Sequence, residues 1–132
     1  IYGDMVGGFS ILKDVPKTMV YKIANEINYK EIIIPQRIID REPSAELTEN
    51  QIDKDSLPSY EILDKIIDLH IEKNYSQKEL IKFGFSRKLV QKVVRLVKIS
   101  EFKRRQSAPG PKITSKAFGK DRRYPITNKF QL

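Results

Sequence analysis

Three groups of side chains in this sequence could do chemistry on an anionic partner. Lys17 follows Asp14-Val15-Pro16, which reads as a helix start. The aspartate can cap exposed N–H groups, and a first-turn proline gives up no needed hydrogen bond. A lysine there stands beside the positive end of a helix dipole, where phosphate or carboxylate is favoured. Lys103-Arg104-Arg105 is a second cationic group; arginines hold phosphate through paired hydrogen bonds. The third group is acidic: Glu42, Glu46, Glu49, Asp53 and Asp55 share one polar stretch. One or two carboxylates together with substrate phosphates suit magnesium. Their spacing matches no calcium loop. Each group also has a plainer reading, as a solvated lysine, a charged helix end and a solvated acidic loop.

The charge distribution sharpens this. The net charge is +8, yet residues 1–102 carry 16 basic and 16 acidic side chains, while residues 103–132 carry nine basic and one acidic. A neutral body with a cationic tail calls for an anionic partner: nucleic acid, a phosphate-bearing ligand or an acidic surface. With 132 residues, 39% hydrophobic and 32% charged, the chain can form one domain with a modest core and is not a disordered tail. Its longest apolar cluster, Ile32-Ile33-Ile34, is closed by Pro35, far short of a bilayer span. Cysteine is absent, which excludes disulfides, thiolate metal sites and a cysteine nucleophile within the segment. One histidine, His70, excludes a histidine zinc cluster and reads as a packing residue. There is no cleavable signal pattern at the start, and the lack of cysteine fits a cytoplasmic protein. The chain opens at Ile1 rather than methionine, which suggests a missing upstream part.

The elements that must position these groups are helical. Val20, Ile23, Ala24 and Ile27 recur at helical spacing and predict a helix over about 15–28. Residues 32–58 lack such a period and read as a substrate-covering loop. A second helix follows Pro58, with Tyr60, Leu63, Ile67 and Ile71 on one face. A third starts at the capping box Ser76-Gln77-Lys78-Glu79 and stops at Gly84. Ser86 opens a fourth, with Leu89, Val90, Val93, Val94 and Val97 inward. Beyond Ser100 come Lys103-Arg104-Arg105-Gln106, then Pro109-Gly110-Pro111, then a basic tail without amphipathic pattern. The fold class is therefore mainly α: about four helices, a long loop and an extended tail. Residues 76–98 also fit a helix-turn-helix with Arg87, Lys88, Gln91, Lys92, Arg95 and Lys98 outward, which could enter a DNA major groove. On the residues alone, a nucleotide enzyme and a nucleic-acid module both stay open.

Four segments resemble one family in order along nearly the whole chain. They are Tyr2-Gly3-Asp4-Met5 with Lys13-Asp14-Val15-Pro16-Lys17; Pro43-Ser44-Ala45-Glu46-Leu47 with Asp53-Lys54-Asp55-Ser56-Leu57-Pro58-Ser59-Tyr60; Phe102-Lys103-Arg104-Arg105-Gln106 with Pro109-Gly110; and Phe118-Gly119-Lys120-Asp121-Arg122-Arg123-Tyr124-Pro125-Ile126-Thr127-Asn128. Together they resemble the NAD synthetases, of the long glutamine-dependent type, because the short ammonia-dependent type lacks this tail. The resemblance implies that the segment is the C-terminal portion of an α/β, Rossmann-like adenine nucleotide α-hydrolase-type domain. Residues 1–102 would then form its helical part and 103–132 the basic tail completing it.

The implied reaction has two steps. ATP adenylates the nicotinate carboxylate of deamido-NAD and releases pyrophosphate; ammonia from a glutaminase domain then displaces AMP. By resemblance, Lys17 is the lysine that binds ATP at a helix start. Ser44 contacts ATP and magnesium in the mobile loop, Asp4 lies in the deamido-NAD pocket, and Lys103 touches the same substrate. Gly8 stands where the short type has an acidic contact, so no side-chain role carries over to it. ATP and magnesium are implied as substrate and metal, deamido-NAD and ammonia as partners, and a homo-oligomer as the assembly. The segment has no Ser-Gly-Gly pyrophosphate loop and no glutaminase cysteine, so it is expected to be inactive alone.

Overall fold

Proline and serine set the helix starts in this chain. The computed structural model describes residues 7–41, 58–117, 121 and 123–127. Among them the chain forms α1 (Lys17–Ile27), α2 (Gln36–Asp40), α3 (Tyr60–Ile67), α4 (Gln77–Lys82), α5 (Arg87–Ile99) and α6 (Glu101–Gln106), with a π-helical turn at Asp68–Glu72 running on from α3. No strand occurs among the described residues. The chain divides into two compact units, Pro16–Lys65 and the combination of Ile1–Val15 with Ile66–Leu132.

The second of these units holds the core. Ser76 accepts the Glu79 N–H at 3.3 Å, and the Glu79 carboxylate accepts the Ser76 N–H at 2.8 Å, which closes the expected capping box on α4. Gly84, at φ +114°, ends that helix in a conformation that a side chain would strain. Ser86 then caps α5 by accepting the Leu89 N–H at 3.3 Å. α4 packs on both α5 and the π turn. The buried layer is Ile66, Leu69, Ile71, Leu80, Val90, Val93, Val94 and Val97. Burying a side chain of this size contributes about 1.5–3 kcal/mol. His70 packs in this layer as expected, its Nδ1 2.7 Å from the Tyr75 carbonyl.

Several expectations need correcting here. Asp14 does not cap α1: the helix starts at Lys17, with Pro16 as N-cap and no side-chain cap. Asp14 is instead buried, accepting the N–H groups of Ile113 and Thr114 at 2.8 and 2.6 Å and the Thr114 hydroxyl at 2.8 Å. Three donors on one ionised group outweigh a solvent-facing cap. Of the expected stripe Tyr60-Leu63-Ile67-Ile71 only Ile71 is fully in the core; Tyr60, Leu63 and Ile67 are half-buried, and Ile66 is the buried residue of α3. The Lys73 N–H bonds back five residues to Asp68 at 3.1 Å, and this wider turn buries Leu69, His70 and Ile71 in succession. Leu89 is only half-buried at the start of α5. Two short helices were not anticipated. α2 has five residues after Pro35, and α6 has six around the cationic cluster that the sequence offered only as a charged helix end. Neither is long enough to establish a period.

The unit Pro16–Lys65 is built differently. None of its described residues is buried. Asn28 organises the turn after α1: its Oδ1 accepts the Ile33 and Ile34 N–H groups at 3.1 and 2.9 Å, and its Nδ2 donates to the Ile34 carbonyl at 2.8 Å. Ile23, Ile27, Tyr29, Ile32, Ile33 and Ile38 are exposed, an unusual concentration of apolar side chains for one small unit.

Candidate functional site

Lys17 is the first residue of α1, and two tyrosines hold its side chain. Its ammonium lies 5.6 Å from the Tyr21 ring centroid and 6.0 Å from that of Tyr60. Tyr21 is one turn on in the same helix and Tyr60 opens α3, so both rings sit on regular elements. Each such contact on an exposed lysine is worth about 0.5–1 kcal/mol. That is enough to bias the ammonium without neutralising it. Beside it, the Thr18 N–H donates to Asp64 Oδ2 at 2.9 Å. A carboxylate of the protein thus already meets one of the N–H groups that the sequence reading offered to an anion. The lysine, rather than the bare helix end, is the stronger anion-binding element here.

The second cationic group lies on α6. Glu101 is 1% exposed and gathers three guanidiniums: Arg104 at 2.7 Å, Arg105 at 3.2 Å and Arg123 at 3.5 Å. Burial pushes the Glu101 carboxyl up. Hydrogen bonds from Arg104, the Tyr124 N–H and Arg105 more than offset this, and the carboxyl sits below its ordinary value of 4.5. Arg104 also donates to the Val97 carbonyl at 2.7 Å, and Arg105 to the Tyr124 carbonyl at 3.2 Å. Lys103 is exposed on the same short helix.

The chain after α6 is seated rather than loose. Ser10 N–H donates to the Pro109 carbonyl at 2.8 Å, and Lys13 Nζ donates to the carbonyls of Ser107 and Ala108 at 3.3 and 2.8 Å. Asp14 holds Ile113 and Thr114 as above. Glu72 accepts the Ser115 hydroxyl at 2.6 Å and the Lys116 N–H at 2.8 Å, and Lys112 pairs with Asp121. Between the Ser10–Asp14 loop and α6 lies a cleft of about 260 Å³, lined in part by Lys13, Arg105, Gly110 and Arg123.

Of the residues expected to carry function, Lys17 belongs to the unit Pro16–Lys65 and Lys103 to the other. Asp4, Ser44 and the loop carboxylates Glu42, Glu46, Glu49, Asp53 and Asp55 lie outside the described residues. Among the described residues no group of three or more histidines and carboxylates could hold a metal ion. Sequence reasoning passed over Tyr21, Asp64 and Glu101, and gave Tyr60 only a place on a helix face and in a motif. Glu101 alone carried a local cue, standing three and four residues before Arg104 and Arg105.

A family model described as NAD synthase matches residues 1–107. The chain belongs to the NAD synthase family. Lys17, Glu101 and Lys103 all fall within the matched range, as do α4 and α5. The glutamine-dependent NAD(+) synthetase of Acinetobacter baylyi is 53% identical over 130 residues, covering 97% of this chain and 24% of its own length. That of Aquifex aeolicus is 54% identical over 130 residues, covering 98% of this chain and 23% of its own. A solved structure of the glutamine-dependent NAD+ synthetase from Acinetobacter baumannii in complex with ADP is similar at TM-score 0.53 and 46% identity, over 96% of this chain and 22% of that one. The chain thus spans about a quarter of the length of the curated relatives it matches. Those relatives also cover most of the segment after residue 107, where the NAD synthase match ends. The basic face of α5 is largely exposed, as the helix-turn-helix reading required, but the comparisons lend that reading no support. Among the described residues no helix is long and apolar enough to cross a membrane.

Proposed function

We propose that the chain is the C-terminal part of the amidation domain of a glutamine-dependent NAD synthetase, helping to bind ATP and deamido-NAD. Its similarity, over nearly its whole length, to glutamine-dependent NAD(+) synthetases, one of them solved with ADP, carries this reading. Lys17, biased by Tyr21 and Tyr60, suits the charge of a triphosphate. Lys103 suits the deamido-NAD, with Asp4 in the same pocket and Ser44 as the loop hydroxyl toward ATP and magnesium.

The reaction is ATP-dependent amidation. The nicotinate carboxylate attacks the α-phosphorus of ATP and pyrophosphate leaves. Ammonia, supplied by a glutaminase domain elsewhere in the enzyme, attacks the acyl-adenylate and AMP departs, giving NAD. The residues of this chain contribute charge and placement, which are the main terms when two anionic substrates must meet. Further parts of the same proposal are a Rossmann-like α/β setting, a helical part over 1–102 with a completing tail over 103–132, a homo-oligomer and a cytoplasmic location. The exposed apolar side chains of Pro16–Lys65 accord with a unit that packs against more protein.

Two measurements test it. The purified chain mixed with ATP, magnesium, deamido-NAD and ammonia should form no NAD, and NAD above background would contradict its role as an incomplete catalyst. In the full-length enzyme, Lys17→Ala should impair pyrophosphate release from ATP and deamido-NAD while glutamine hydrolysis stays chemically intact. Unchanged pyrophosphate release would remove the role given to Lys17.

A further inference from the structure

We infer that Glu101 is a positioning residue for Lys103: its buried carboxylate fixes the rotation of α6 and so aims the lysine at the dinucleotide. This rests on the reading of Lys103 as a deamido-NAD contact.

The geometry carries it. Successive residues in an α-helix turn by about 100°, so Arg104 and Arg105 stand on the face of Glu101 while Lys103 stands about 200° away, on the opposite face. One face of α6 is thus pinned and the other presents the lysine. Phe102 is 43% exposed, so little packing on the outer side opposes a rotation. Six residues are too few for a helix to hold itself. The pin comes from outside the helix: Arg123 and the Tyr124 N–H reach Glu101 from the tail, Arg105 bonds the Tyr124 carbonyl, and Arg104 bonds the Val97 carbonyl in the last turn of α5, while Arg104 and Arg105 pair with Glu101 within α6.

A buried charge is a costly way to fill space, and an apolar side chain of similar volume often serves stability as well or better. An ion cluster does add direction, because the carboxylate oxygens must face their donors. Side chains reach about 5–6 Å from a helix axis, so a slip of about 20° would carry the outer part of the Lys103 side chain by roughly 2 Å. Displacements of about 1 Å at a binding group can cost up to about 100-fold in turnover.

Steady-state kinetics on the full-length enzyme test this through a double-mutant cycle. Glu101→Gln should raise KM for deamido-NAD about 10-fold or more, leaving KM for ATP and the rate of glutamine hydrolysis near wild type. In a Lys103→Ala background the same change should add less than about 2-fold, because the residue through which it acts is gone. Glu101→Asp, which keeps the charge, should recover part of the loss. Should Glu101→Gln not fold, Arg123→Gln serves instead. Its side chain is 42% exposed, and a smaller rise of the same sign, absent in Lys103→Ala, is expected. Additive effects, equal rises for both substrates, or a wild-type KM in the folded variants would overturn the inference alone. A wild-type KM in Lys103→Ala would instead overturn the assignment of Lys103, and the inference with it.

Discussion

Gly110→Ala should unseat the chain that follows α6. A Cβ at Gly110 would lie 2.3 Å from the Ser10 carbonyl oxygen and 2.9 Å from Lys13 Cβ, where ordinary contact begins at 3.4 Å. One obstacle is backbone, so the tail segment must withdraw by roughly 1 Å to restore contact distance. The Ser10 N–H bond to Pro109, now 2.8 Å, would then stretch to roughly 3.8 Å, beyond the range of a hydrogen bond. Overpacking costs about 1–3 kcal/mol and the lost bond about 0.5–1.5 kcal/mol. The opposing gain from a stiffer unfolded chain is about 0.4–1 kcal/mol, so the clash wins. A net cost of about 1–3 kcal/mol multiplies the undocked fraction by roughly 5- to 150-fold. Limited trypsinolysis of the full-length enzyme reads this directly, as cleavage after Lys112 and Lys116 tracks the open population when opening is fast. Gly8→Ala is the comparator, since a Cβ there meets nothing within 4 Å. If Gly110→Ala is cut no faster than Gly8→Ala, the tail is not seated as described.

Two further outcomes are expected. Leu80, fully buried between α4 and α5, should cost about 2–5 kcal/mol when truncated to alanine, and chemical denaturation of the variant checks this. Glu101 titrates below its ordinary value of 4.5 in the folded protein. The folded state therefore binds its proton less readily, and the stabilisation is full above 4.5 and lost as pH falls through the lower, folded value. Glu101→Gln should flatten the acid limb of a stability-against-pH profile in that window, and an unchanged limb would count against the buried ion cluster.

What was legible in the sequence followed regular spacing. The capping box at Ser76, the stop at Gly84 and the valine stripe of α5 were readable because each repeats a local rule over one or two helical turns. α2 and α6 escaped for the opposite reason, being too short to show a period. Asp14 misled because the same side chain that caps a helix can also bind distant N–H groups, and its partners Ile113 and Thr114 lie about a hundred residues away. Tertiary pairing of that kind leaves no local mark. For the candidate site, the cationic residues Lys17 and Lys103 were visible as charges in context. Their supports, Tyr60 for one and Arg123 for the other, come from separate stretches of chain that only the fold brings near. The family resemblance rested mostly on stretches whose sequence shows no helical period, so periodicity alone gave no access to it.

The most direct measurement is a crystal structure of the intact enzyme with a non-hydrolysable ATP analogue and deamido-NAD bound together. The account predicts the Lys17 ammonium on the triphosphate and Lys103 within hydrogen-bonding distance of deamido-NAD. Both lysines standing clear of either ligand would contradict it.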